Sequence, residues 1–226
     1  MNKIKKEVFG VNIMAINGSP RKNNNTATLL GKTLEGAQAN GAETELVHLY
    51  DLNYKGCTSC FACKRKEGKS YGKCAWRDDL TPILQKIEQA DAIIMGSPIY
   101  LCDVTGQMHA FLERLVFPYL TYTEAHKSIF GRTIKTGFIY TMNVTAQRME
   151  ERGFRPTLSW IEAYLQNTFG HCEALFAYDT YQFDNYDKYV VTIFDEQLKA
   201  QVRDTQFPKD CDSAFTMGQR FAEKAL

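Results

Sequence analysis

An α/β domain built on a parallel sheet is what this sequence predicts, and three observations carry the prediction. Strand-length apolar runs recur along the chain, separated by segments whose apolar residues repeat with helical spacing. The first and third runs, VFGVNIMAI (8–16) and ADAIIMGSP (90–98), are almost wholly apolar, as central parallel strands covered on both faces must be. Both pass into a Gly-Ser-Pro turn, so two loops of one kind follow two buried strands.

The elements follow in order. After NGSPRKNNNTATLL (17–30), Leu30, Leu34 and Ala37 fall at i, i+4 and i+7, and Gly41 stands where the helix would stop. ETELVHLY (43–50) alternates more and suits an edge strand. A second helix starts at Asp78-Asp79, with Leu80, Ile83, Leu84 and Ile87 on one face and Pro82 in its first turn. A third carries Met108, Phe111, Leu112 and Leu115. TIKTGFIYTMN (133–143) is the fourth strand, and Leu158, Ile161 and Leu165 place a helix over about 156–168. CEALFAYDTY (172–181) is the fifth strand, and a closing helix runs from about Ser213 with Met217 and Phe221 inward. Residues 182–212 are the least legible; YVVTIFD (189–195) reads as a short extra strand and EQLKAQVRD (196–204) as a short helix. Five strands alternating with helices, the second of them edge-like, predict a flavodoxin-like three-layer sandwich with a five-stranded parallel sheet of order 2-1-3-4-5. Residues 1–226 are expected to form one such domain, interrupted by a Cys-rich insertion at about 51–78.

Composition narrows the partners. Lys and Arg number 27 against 26 Asp and Glu, so no broad basic field points to nucleic acid or an anionic membrane. No apolar stretch approaches the roughly 20 residues of a membrane helix. The basic N-terminus followed by apolar residues leads into a turn and not a cleavage site, so residues 8–16 read as a buried strand and no export signal is expected. Seven cysteines, an odd number with four clustered, fit reduced thiols and a cytoplasmic location.

In a doubly wound sheet, ligands sit outside the carboxyl ends of the strands, where strand order reverses. The 17–30 stretch stands there. A helix beginning near Thr26 would aim free N–H groups and its positive dipole end at the loop. Ser19, Asn25 and Thr26 offer short side-chain donors, Arg21 offers a charged fork, and Ala27 completes the first turn. Neither GxxxxGK[ST] nor GxGxxG is present, which removes the P-loop nucleotidases and weakens a dinucleotide reading. Alone, the stretch reads equally as a solvated turn; its place between strand and helix favours an anion. Asn23 and Asn24 are assigned to the turn only. Cys57, Cys60, Cys63 and Cys74, spaced C-x2-C-x2-C-x10-C, suggest a soft-metal site, structural zinc among the choices, or thiols that pack or exchange disulfides.

The loop is similar to the GSPRxxxNT phosphate loop of the NADPH-dependent FMN reductase and iron–sulfur flavoprotein group, within the flavodoxin-like superfamily. The resemblance continues in CTSCFACKRKEGKSYGKC (57–74), DDLTPILQKIEQADAIIMGSPIY (78–100) and DVTGQMHAFLERL (103–115), covering roughly residues 8–120. It implies bound FMN, its phosphate at Ser19, Arg21, Asn25, Thr26 and Ala27. Pro98, Ile99 and Tyr100 would shape and stack on the ring, with backbone of 99–102, hence Leu101 and Cys102, at the ring edge. Thr141, Met142 and Asn143 would form a third wall. Cys102 stands where many relatives carry a small residue and is taken as a contact, not a catalytic group. Cys57, Cys60 and Cys63 resemble the compact motif that binds a [4Fe–4S] centre in iron–sulfur flavoproteins, but the gap to Cys74 is longer than in that motif. A cluster is therefore an alternative and not the favoured reading.

The implied activity is hydride transfer from NAD(P)H to flavin N5, with the electrons passing to a small-molecule acceptor such as a quinone or free flavin. No catalytic side chain is required, since the flavin carries the chemistry. His48, His109, His126 and His171 are scattered and read as surface or packing residues. A rival is an iron–sulfur flavoprotein acting as electron carrier or redox sensor; another is a flavin-free interaction protein that keeps only the fold. The resemblance also implies a homodimer or homotetramer, with the aromatic-rich 117–140 segment and the 179–212 region as candidate contacts.

Overall fold

Both apolar runs lie at the centre of one parallel sheet. The computed structural model describes residues 10–123 and 127–223; Val8 and Phe9 of the first expected strand, and His126, lie outside them. The elements are β1 (Asn12–Asn17), α1 (Asn25–Ala39), β2 (Glu43–His48), α2 (Leu80–Ile87), β3 (Ala92–Tyr100), β4 (Asp103–Val104) and α3 (Gly106–Val116). There follow β5 (Lys135–Thr141), α4 (Ala146–Glu151), α5 (Phe154–Phe169), β6 (Glu173–Ala177), α6 (Glu196–Thr205) and α7 (Phe207–Ala222). Five strands pair in parallel in the order β2-β1-β3-β5-β6, with β4 folded back antiparallel on β3. Leaving out β4, this is the expected 2-1-3-4-5.

Helices cover both faces because the central strands are apolar on both. Ile13, Ala15, Ile94 and Ile139 face Leu29, Leu30 and Phe221 of α1 and α7. Met14, Ile16, Ile93, Met95 and Phe138 face Ile83, Phe111 and Leu165 of α2, α3 and α5. Each such side chain, fully buried, contributes roughly 1.5–3 kcal/mol. Helices α1 and α7 meet backbone to backbone: a Cβ on Gly218 would lie 1.8 Å from the Thr33 carbonyl oxygen. Only glycine allows that approach.

Four expectations change. The fifth strand ends at Ala177 and does not run to Tyr181, because Asp179 takes a left-handed φ of 52° and turns the chain. The 189–195 stretch is not a strand; Val190 and Ile193 are exposed and pair with no strand of the sheet. The closing helix starts at Phe207, six residues before Ser213, with Pro208 in its first turn where its missing N–H is harmless. The loop after β3 is a hairpin whose turn residues Leu101 and Cys102 both have positive φ, 51° and 69°. Such turns favour Gly or Asn, so Leu-Cys gave no cue. Between β2 and α2, residues 49–79 hold only two single-turn helices, at Leu49–Asp51 and Ala62–Lys64.

Candidate flavin site and cysteine cavity

The loop after β1 is tied to β3 and to the start of α3. Gly18 N–H donates to the Gly96 carbonyl at 2.8 Å, and the Thr105 hydroxyl donates to the Gly18 carbonyl at 2.7 Å. The same hydroxyl caps α3 by accepting from Met108 N–H, while Thr105 N–H donates to Ser97 Oγ. Asn17, fully buried, accepts from Ser19 N–H and shares a 2.9 Å hydrogen bond with His48 Nδ1. These interactions fix the path of the first loop. A Cβ on Gly18 would lie 2.8 Å from Met108 Cβ, so the close crossing requires glycine there.

Helix α1 begins with its N-terminal N–H groups uncapped by any side chain and no acidic residue in its first turn. Free N–H groups and an uncompensated dipole end make that turn a receptor for an anion. Around it lies a cavity of about 530 Å³. Ser19, Arg21, Asn25 and Thr26 line one side, Pro98, Ile99, Tyr100 and Leu101 another, and Thr141, Met142 and Asn143 the third. Thr26 and Thr141 bridge two walls through a 2.7 Å hydroxyl pair. Desolvation raises the Tyr100 phenol above its ordinary value, against the opposing pull of the Arg21 charge.

Two expected residues stand elsewhere. The Ala27 side chain is buried and outside the lining, since one further step round the helix turns it away from the cradle. Cys102 is exposed and also outside the lining, because the left-handed turn carries it to the hairpin tip. Four lining residues were not expected. Asn24 had been assigned to the turn. Thr180, Tyr181 and Gln182 arrive because β6 ends early, and no sequence signal marked them. They are held across the cradle: Arg21 Nη1 donates to the Gln182 carbonyl at 2.5 Å and Asn25 Nδ2 to the Tyr181 carbonyl at 3.0 Å. Asn143 Nδ2 donates to Gln182 Oε1 at 2.7 Å.

The four clustered cysteines wall a second, small cavity of about 20 Å³. Cys63 is buried, Cys74 half-buried, and Cys57 and Cys60 are exposed at the rim. Burial pushes the Cys63 thiol up. Ser59 and Phe61, on either side of Cys60, both have positive φ. Among the described residues, no three His, Cys, Asp or Glu side chains converge as ligands of one metal ion. Arg114 of α3 reaches the same cavity, and its Nε donates to Cys74 Sγ at 3.3 Å.

The sheet order, with a cradle at its switch point, is that of a flavodoxin-like fold. Residues 11–167 match the family model described as NADPH-dependent FMN reductase, and the chain belongs to that family. An iron-sulfur flavoprotein of Archaeoglobus fulgidus is 34% identical over 125 residues, 55% of this chain and 59% of that one. An iron-sulfur flavoprotein of Methanosarcina thermophila is 34% identical over 104 residues, 46% of this chain and 52% of that one. The chain thus spans about half the length of the curated relatives it matches. Among solved structures, an NAD(P)H:quinone oxidoreductase from Methanothermobacter marburgensis superposes with a TM-score of 0.68 at 14% identity, over 93% of this chain and 98% of that one. An FMN-dependent NADH-azoreductase from Bacillus anthracis in complex with FMN gives 0.62 at 12% identity, over 94% and 100%. These two likenesses are of fold. Among the described residues, no helix is long and apolar enough to cross a membrane.

Proposed function

We propose that this chain binds FMN in the cradle between β1, β3 and β5 and works as an NAD(P)H-dependent oxidoreductase. The observation that carries the reading is the uncapped start of α1, ringed by Ser19, Asn25 and Thr26 and facing a slot between Tyr100 and Met142. When bound, FMN supplies hydride acceptance at N5 and release of the electrons to a second acceptor, such as a quinone or free flavin. The chain's residues bind and orient. Backbone N–H groups and hydroxyls at the α1 start hold the phosphate. The 99–101 backbone lies where the ring edge would sit, and the half-exposed Tyr100 covers one ring face. Arg21 and Asn25 serve the phosphate side while also holding the 181–182 strap in place. Ala27 contributes only its backbone, and Cys102 is left as a neighbour at the hairpin tip.

The test is reconstitution. Purified protein offered FMN is expected to retain flavin absorbance through gel filtration and to oxidise NAD(P)H with a quinone or flavin as acceptor. Absence of both overturns the proposal. A cytoplasmic setting and a homodimer or homotetramer belong to the same reading; the exposed Phe61, Tyr122, Trp160 and Tyr164 are apolar enough for a subunit contact. A monomer in sedimentation at working concentration would remove that part.

A second reading, an iron–sulfur flavoprotein that carries electrons or senses redox state, is favoured by one observation. All four cysteines of the 57–74 segment border a single cavity. Four thiol donors around one space are the donor set of a thiolate-ligated cluster. Cys57, Cys60, Cys63 and Cys74 would be its ligands, the exposed thiols of Cys57 and Cys60 being drawn inward. Iron and sulfide assays on protein purified without air decide it; absence of both eliminates the cluster.

A further inference from the structure

Among the described residues, Arg114 is the largest side chain that is almost wholly buried, 2% exposed, and nothing in the flavin chemistry uses it. A buried guanidinium is costly unless its donors are placed. Here four of the five are. Nη1 donates to Asp78 Oδ2 and to the Lys55 carbonyl, Nη2 to the Trp76 carbonyl, and Nε to Cys74 Sγ. Three partners are backbone or carboxylate oxygens, such as any structural arginine takes. The fourth is a sulfur, and it is the cysteine separated from the other three by the long gap.

We propose that Arg114 is a positioning and tuning residue for a cysteine-ligated cluster: it holds Cys74 in the ligand set and donates a charge-assisted N–H···S hydrogen bond to it. The inference rests on the iron–sulfur reading given above. Arg114 runs from α3 into the irregular 55–78 segment and pins it on both sides of Cys74, through Lys55 and through Trp76 and Asp78. That bracing lets a ligand ten residues beyond Cys63 stand beside the others. Adding an electron to a thiolate-ligated centre adds negative charge. A fixed cation and an N–H donor at one ligand sulfur favour the more negative state and raise the reduction potential.

The experiment uses the whole protein purified without air. Iron and sulfide are assayed, the centre is reduced with dithionite, and arginine is supplied with 15N in the guanidinium group. Pulsed EPR of the reduced wild-type centre is expected to show hyperfine coupling to an arginine nitrogen, absent in Arg114→Lys. A potential titration is expected to place Arg114→Lys lower, by a shift equivalent to about tenfold in the reduced-to-oxidised ratio, about 59 mV for a one-electron couple. A wild-type centre without nitrogen coupling overturns the proposal with no variant needed. So does an Arg114→Lys protein with full iron, unchanged coupling and unchanged potential. Wild-type protein free of iron and sulfide defeats the cluster reading itself and this proposal with it, a result distinct from the other two.

Discussion

The loop after β1 and the segment after β2 leave the same edge of the sheet, yet they are held in opposite ways. At its start, the first loop is fixed by neutral partners, Asn17, Thr105 and the backbone of Gly96, and only at Arg21 and Lys22 by exposed cations, which reach the Gln182 carbonyl and the Asp51 carboxylate. Residues 49–79 are fixed by two cations of low exposure. Arg114 braces one end, and Lys64 Nζ donates to the carbonyls of Phe117, Pro118 and Leu120. A short loop between a strand and a helix is fixed at its start by backbone, Asn17 and small hydroxyls, and its exposed cations bind at its far side, so the helix N–H donors stay free to face a ligand. A long segment without strands or α-helix has scattered carbonyls to satisfy, and one guanidinium or ammonium meets several at once. The first loop therefore points its donors outward, whereas the second turns them in on oxygen and sulfur.

The largest expected effect breaks the second arrangement. Arg114→Met leaves the Asp78 carboxylate without its partner and three acceptors unmet, and is expected to cost about 3–5 kcal/mol in urea denaturation. A loss below about 1 kcal/mol would mean that the segment is held by other contacts and that the contrast is false. In the first loop the expected effect is smaller. Gly18→Ala sets a Cβ against Met108 Cβ, and overpacking of this kind costs about 1–3 kcal/mol. FMN retention should fall with it, since the loop cannot move without moving the cradle. Thr26→Val is milder: it is expected to raise the FMN dissociation constant about tenfold in a fluorescence titration, the worth of one hydrogen bond to a charged oxygen. Thr141→Val removes the partner hydroxyl only. If it weakens FMN as much as Thr26→Val does, the pair acts by packing, and the donor role given to Thr26 fails.

What was legible in the sequence follows the same division. The strand order could be read because β1 and β3 are buried on both faces and β2 on one, and burial is written directly into the residues. The first Gly-Ser-Pro loop could be read because it follows β1; the second lies within β3, which runs on to Tyr100 before the chain turns at Leu101–Cys102. Thr180–Gln182 could not, because their place depends on where β6 stops, and the left-handed turn at Asp179 carries no glycine to announce it. The Leu101–Cys102 turn was hidden in the same way, since neither residue is the glycine or asparagine such a turn favours. Arg114 lay unnoticed among helix residues chosen for their apolar spacing; an arginine on the buried face of an amphipathic pattern was the available signal.

The smallest expected effect concerns two thiols outside the cysteine segment. Cys172, at the start of the chain's approach to β6, has its thiol pushed by burial up to about 11, with a lesser opposing contribution from Thr136. Cys102 is exposed at the hairpin tip. Near pH 8, iodoacetamide should therefore label Cys102 well before Cys172, as mass spectrometry of digested protein would report; the reverse order would place the hairpin turn inward. The same shift has a consequence for stability. In the unfolded chain the Cys172 thiol loses its proton near its ordinary value of 9.0, whereas the folded chain retains it to about 11. Over that interval the folded state holds more protons than the unfolded one, so stability falls as pH rises. Cys172→Ala is expected to flatten that part of a melting-temperature profile and leave the profile at neutral pH with the same slope.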